Sequence, residues 1–210
     1  MVRDRKSNTP GTGIRDAIAE DLSDVVRVHQ TAFRGFFLDR MGPRFLRAYY
    51  SAVLGYPGAI FLVNVDKTGD IDGFAAGFRD PGGFYDHFRS LRPRLAPIIA
   101  LALLRRPSLL AEIVRNTRRV ATPGTRASET VELSSIGTSR IGTGVGAALL
   151  EAFCARSVQL SAKEITLSTD RDNNGAVLNF YLKHGFEKRG TEHRGTRVLQ
   201  IMSRHVSGET

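Results

Sequence analysis

Three glycines at alternate positions, Gly142, Gly144 and Gly146, stand where a strand-like stretch gives way to a helix-like one. Glycine at such a turn lets backbone N–H groups come close to a ligand. The helix beyond it adds unpaired donors and the positive end of its dipole. The chemistry on offer is a cradle for a pyrophosphate. Turns of this kind also serve plain strand–helix packing, so the glycines alone do not name a ligand. A dinucleotide-binding reading wants its first glycine after an early strand and an acid about 20 residues on. Here the motif lies late in the chain, although Glu164 stands near that distance from Gly144. A nucleoside-triphosphate loop would continue with Gly-Lys-Ser/Thr, and this one does not.

The elements around the turn can be read from periodicity. Residues 130–136 (TVELSSI) form a strand, and Val145, Leu149, Ala152 and Phe153 share one face of a helix reaching about residue 160. Residues 164–169 form the next strand and 173–184 a helix striped by Val177, Phe180, Tyr181 and His184. Two closing strands, about 186–192 and 196–203, flank Arg194-Gly195. Towards the N-terminus a short strand at 13–17 precedes a helix marked by Leu22, Val25, Val26, His29 and Phe33. A second helix at about 42–54 carries Phe45, Leu46, Tyr49, Tyr50 and Val53. Residues 59–65 and 72–78 read as an antiparallel hairpin over the turn DKTGD. That order predicts an α/β sheet of mixed direction.

The 210 residues suit a single domain, expected over 13–205 after a disordered basic tail at 1–12. Lys and Arg number 30 against 21 Asp and Glu, a net charge of +9. That excess is local. Residues 81–126 hold nine Arg against Asp86 and Glu112, a net +7, and the tail supplies the other +2. The segment reads as a helical insertion, with an apolar helix at about 95–104 and a second helix starting at Pro107. Its charge suggests an anionic membrane surface or an acidic acceptor as partner, beside the plain reading of a solvated basic face. Nucleic acid is disfavoured, because Phe84, Tyr85 and Phe88 bunch ahead of the arginines rather than between them. A single cysteine, Cys154, fits a reducing cytoplasm, with surface attachment to a membrane as the variant that the insertion suggests. No Cys/His cluster has zinc spacing, so no metal is expected.

Downstream of the glycines runs Asn174-Gly175-Ala176-Val177-Leu178-Asn179-Phe180-Tyr181-Leu182-Lys183-His184-Gly185-Phe186. A strand–GxGxG–helix followed about 30 residues later by this Asn…Phe-Tyr-x-Lys-x-Gly-Phe pattern resembles the GNAT N-acetyltransferase superfamily. The resemblance is strong over 130–190 and rests on element order in the N-terminal half. It implies a mixed, mostly antiparallel sheet whose central parallel strands splay apart, with acetyl-CoA as co-substrate in the wedge. A primary amine would be the acceptor, whether small molecule, amino sugar or protein N-terminus. A homodimer is compatible with it, and so is a non-catalytic acyl-CoA-binding domain.

On the matching positions, Ile136, Gly137 and Thr138 would hold the pantetheine arm through their backbone. Ile141, Gly142, Thr143, Gly144, Val145, Gly146 and Ala147 would wrap the pyrophosphate, and Asn174 would touch the arm from the other side. Where the family usually has Gln or Arg at the loop's start, this chain has Ile141, with Arg140 one step earlier. Acyl transfer needs a neutral amine and a proton for the departing thiolate. A phenol, with an ordinary pKa of about 10, can give that proton, which makes Tyr181 the candidate acid; its place on an apolar stripe equally suits a core role. Glu132 is the candidate base if it faces the wedge, with Asp170 as runner-up. His29, His184 and Cys154 read as core or structural residues, His29 with an acceptor-side alternative. Tyr49 and Tyr50 read as helix packing. The turn around Phe33, Arg34, Gly35, Phe36 and Phe37 could form an acceptor-side lip.

Overall fold

The computed structural model describes residues 13–105, 107–108, 129–195 and 197–206. The basic tail and most of the expected second helix of the insertion lie outside them. Seven strands make one sheet: β1 (Gly13–Asp16), β2 (Ala59–Val65), β3 (Ile71–Arg79), β4 (Thr130–Thr138), β5 (Glu164–Asp170), β6 (Glu187–Arg194) and β7 (Arg197–His205). Their order is β1-β2-β3-β4-β5-β7-β6. Every neighbouring pair is antiparallel except β4 with β5, which is parallel. This is the mixed sheet that the element order predicts.

Local chemistry sets the connections. The β2–β3 turn folds around Asp66, whose Oδ1 accepts from the N–H groups of Thr68 (2.8 Å) and Asp70 (3.1 Å), with Gly69 in the left-handed region at φ 89°. On one face of the sheet lie α1 (Leu22–Ala32), the short α2 (Phe37–Arg40), α3 (Pro43–Leu54), α4 (Pro81–Ser90) and α5 (Arg92–Arg105). The opposite face carries α6 (Val145–Gln159) and α7 (Gly175–Lys183). Two hydrophobic clusters result from this layering. The first joins α1, α3 and α4 to the sheet through Val25, Leu46, Tyr50, Phe74, Phe78 and Phe84. The second joins α6 and α7 through Leu149, Leu150, Phe153, Ile165, Tyr181 and Phe186.

At the start of the insertion, Asp80-Pro81-Gly82-Gly83 follows the last residue of β3 and opens α4: the Asp80 carboxylate accepts from the Gly83 N–H at 3.1 Å and Pro81 takes the first turn. The apolar helix begins earlier than 95, at Arg92. Its Leu95 and Ala102 are buried, and Ile98, Ile99 and Leu103 pack against the first cluster. Among the described residues no helix is long and apolar enough to cross a membrane.

An irregularity interrupts the centre of the sheet. Ala76 pairs with Ser135 and Gly77 with Leu133, so Ser134 is an extra residue in β4, a β-bulge. Gly77 faces it across the ladder, and a Cβ there would meet the Glu132 carbonyl and come within 2.5 Å of the Phe153 ring. Gly77→Ala should therefore destabilise the chain by about 2 kcal/mol, read as a lower urea midpoint at unchanged m-value. An unchanged midpoint would show that the bulge tolerates a side chain.

Candidate active site

The bulge lies just beyond the point where the two parallel strands part. β4 and β5 pair only at Thr130–Glu164, Val131–Ile165 and Glu132–Thr166. Beyond these, β4 stays with β3 as far as Thr138, and β5 stays with β7 as far as Asp170. The β4 edge from Leu133 onward therefore has no strand partner on the β5 side among the described residues. Ile136, Gly137 and Thr138 lie on this open edge, whose backbone groups are available to an extended ligand.

The glycine loop comes directly after. Its start is pinned to β3 by Ser139, whose N–H and hydroxyl both donate to the Asp72 carbonyl (2.8 and 3.2 Å). Gly142 and Gly144 both adopt φ 81°, and a Cβ at either would meet nothing within 4 Å. Backbone conformation requires these glycines and crowding does not, which argues against a pure packing role. The first bond of the α6 ladder runs from the Ala148 N–H to the Gly144 carbonyl at 3.0 Å. The N–H groups of Val145, Gly146 and Ala147 precede it and lie at the helix's positive end. Ile141 is 99% exposed and Arg140 is exposed too, so the loop's character comes from its backbone. Open edge, left-handed glycines and free helix start together fit an arm ending in a pyrophosphate.

Asn174 stands at the other side of the wedge, where its Nδ2 donates to Thr169 Oγ1 and to the Asp170 carbonyl, both at 2.8 Å. It ties the end of β5 to the start of α7. Tyr181, on α7, is buried against Phe180 and Phe186. Burial pushes its phenol above the ordinary value, so it is held protonated. His29 Nε2 is the only side-chain N or O among the described residues that is both fully buried and unpartnered.

On the helical face of the wedge a cavity of about 570 Å³ opens beside the bulge. Its inner wall includes Ser134 and Ser135 of β4 and Ser168, Thr169 and Asp170 of β5. The α1–α2 turn contributes Phe33, Gly35, Phe36 and Phe37, as the lip reading anticipates. That turn is shaped by Gly35, at φ 83°, whose N–H donates to Asp39 Oδ2 at 2.8 Å. Arg197 closes the far side: it grips Asp170 through two bonds (2.7 and 2.9 Å) and lies 5.0 Å from the Phe36 ring centroid. Asp170, the runner-up base, is thus held in an ion pair.

Glu132 lies on the same face as this cavity but does not line it. Its Oε1 accepts from the Tyr85 hydroxyl at 2.8 Å, and Tyr85 itself lines the cavity. Glu132 and Tyr181 are not side by side: Tyr85 packs on the first cluster, whereas Tyr181 belongs to the second. Tyr49 packs on the first cluster as its helix stripe predicts, and it also lines the cavity. Its hydroxyl bonds Ser134 at 2.6 Å, holding the bulge from the cavity wall. No signal in the sequence joins these residues. Tyr50 is packed as expected, fully buried, with its hydroxyl 2.7 Å from His29 Nδ1. Burial lowers His29 to a pKa of about 4, so the imidazole is neutral at physiological pH, and it lies on the cavity wall. His184 bonds the Phe180 carbonyl at 2.7 Å, and Cys154 is buried, its thiol pushed up to about 11 mainly by burial. Among the described residues no cluster of three or more His, Cys, Asp or Glu could hold a metal ion.

No protein-family model matches the chain, and no curated protein does either. Solved structures do. A protein assigned to the GNAT family of acetyltransferases from Desulfovibrio desulfuricans superposes with a TM-score of 0.62 at 16% identity, over 94% of this chain and 100% of the other. An N-acetyltransferase from Staphylococcus aureus Mu50 gives 0.61 at 15% identity, over 92% and 98%. The ribosomal-protein-S18-alanine N-acetyltransferase from Escherichia coli gives 0.58 at 14% identity, over 94% and 95%. The sheet order, the splayed parallel pair and the glycine loop at the head of α6 thus sit in the fold of the GNAT N-acetyltransferase superfamily.

Proposed function

We propose that the chain is an acetyl-CoA-dependent N-acetyltransferase, moving an acetyl group to a primary amine by direct attack in a ternary complex. The observation that carries the reading is the parting of β4 from β5 after Glu132–Thr166, with the glycine loop at one end and the 570 Å³ cavity on the helical face. Acetyl-CoA supplies an acyl group activated as a thioester, whose leaving thiolate takes up a proton. Ile136, Gly137 and Thr138 hold the arm along the open β4 edge, and residues 141–147 bind the pyrophosphate through backbone N–H groups. Asn174 acts by fixing the end of β5.

Tyr181 is the acid in this reading. A buried phenol with a raised pKa keeps its proton at neutral pH and gives it up only as the thiolate forms beside it in the same desolvated wedge, where burial raises the basicity of the thiolate as well. Glu132 is the base, reaching the cavity through the Tyr85 hydroxyl, so the amine proton passes along a two-member chain. The amine enters from the α1–α2 lip. Orientation by the cavity wall adds to the rate by holding amine and acyl donor in attack geometry.

A screen for free-thiol release over several amine classes, with acetyl-CoA and longer acyl-CoAs, tests the reading directly. Turnover with some amine is expected; acetyl-CoA binding with no turnover across the panel would instead mark an acyl-CoA-binding domain. Tyr181→Phe should cut kcat roughly 10²-fold while CoA binding stays near wild type. Full activity in that variant would remove Tyr181 as the acid. Glu132→Gln should also lower kcat roughly 10²-fold, with a smaller loss in Tyr85→Phe, because water can replace the phenol in the chain. Equal rates in Glu132→Gln and wild type would exclude the base assignment.

A further inference from the structure

The charged groups lining the cavity are unbalanced. Among the described residues, Arg40, Arg89, Arg92, Arg194 and Arg197 face it, against a single carboxylate, Asp170. They come from α2, the α4–α5 corner and the β6–β7 hairpin, elements that surround the wedge rather than form it. Arg197 pairs with Asp170, Arg194 with Glu192 and Arg89 with Asp86, and Arg40 donates to Ser108 at 3.3 Å. Asp86 is 72% exposed, so water screens that pair. Arg92 is exposed and makes no ion pair or hydrogen bond among the described residues. A concave wall of one sign concentrates ions of the other, and a guanidinium fork matches carboxylate or phosphate oxygens.

Between these arginines and the inner wall, the cavity is aromatic and aliphatic, with Phe45, Tyr49, Phe88 and Ile99 among its lining. At about 570 Å³ it is far larger than an amino group needs and falls in the range of whole small-molecule sites. His29 Nε2 adds a buried, unpartnered polar atom on the wall, which a ligand's polar group would satisfy.

We infer that the acceptor is a small amine carrying an anionic group, phosphate or carboxylate, on an apolar frame, with the anion held by arginines at the cavity mouth. For the amine, the inference rests on the acyltransferase reading above; for the anion and the frame, it rests on the cavity alone. A small molecule is favoured over a protein chain because α1 to α5 and the β6–β7 hairpin wall the space on several sides. The basic insertion then has a defined task. Through Arg89 and Arg92 its first two helices form part of the anion's binding site.

The test is calorimetric binding to the full chain, with and without CoA, so that it does not depend on turnover. Two matched pairs separate the anion sources: phenethylamine with phenylalanine for carboxylate, tyramine with O-phosphotyramine for phosphate. At least one anionic member should bind about tenfold more tightly than its neutral parent. That advantage should shrink by about tenfold in Arg92→Gln or in the double variant Arg89→Gln/Arg92→Gln, and persist in Arg156→Gln, which removes a charge remote from the cavity. Neutral parents that bind as well as both anionic members would overturn the inference. So would an advantage that survives both cavity variants, or no binding by any of the four. The same amines in the thiol-release assay keep the two readings apart. Turnover without anion preference rejects this inference alone, whereas arginine-dependent binding without thiol release rejects the acyltransferase reading alone.

Discussion

A strand can pair fully with only two neighbours, and β4 gives up one of them. It runs beside β3 along its whole length, while its parallel partner β5 leaves after three residue pairs to run beside β7. Both the open edge and the space next to it result from that choice. The Ser134 bulge re-aims β4 just past the last shared pair, and the missing side chain at Gly77 lets Phe153 and the Glu132 carbonyl close in behind it. From the opposite face the Tyr49 hydroxyl holds Ser134. Packing on one face and a hydrogen bond on the other thus hold one irregularity in place.

The two ends of the wedge present different chemistry. At the glycine loop the groups on offer are backbone N–H donors, so a ligand held there would not depend on a particular side chain. That fits a loop whose Ile141 and Arg140 both point outward. On the cavity side the groups are side chains: arginines, aromatic rings and a neutral buried imidazole. The first arrangement is indifferent to side-chain identity and the second is defined by it.

Much of this was legible from spacing. Strand β2 falls on residues 59–65 as the apolar run predicts, and the glycine loop stands at the head of α6 where the alternate glycines put it. Short-range patterns carry such information because the cause lies within a turn or two of chain. The misses have causes far away in sequence. The Tyr49–Ser134 bond joins residues 85 apart, and the bulge depends on Gly77 meeting Phe153 across the sheet. Helix α4 went unread for a local reason: two glycines in its first turn weigh against a helix, but a carboxylate cap on the Gly83 N–H together with Pro81 starts one.

The two hydrophobic clusters have a consequence for how this chain can change. The cavity takes apolar lining such as Met41, Phe45 and Tyr49 from the first cluster, whereas Leu149, Phe153 and Tyr181 belong to the second. The sheet stands between them as a partition. Substitutions that recut the cavity for a new occupant can be absorbed by repacking on one side, leaving the helix that starts at the glycine loop and the packing beneath it undisturbed. The shape of the cavity can drift on one side of this wall while the packing on the other stays fixed.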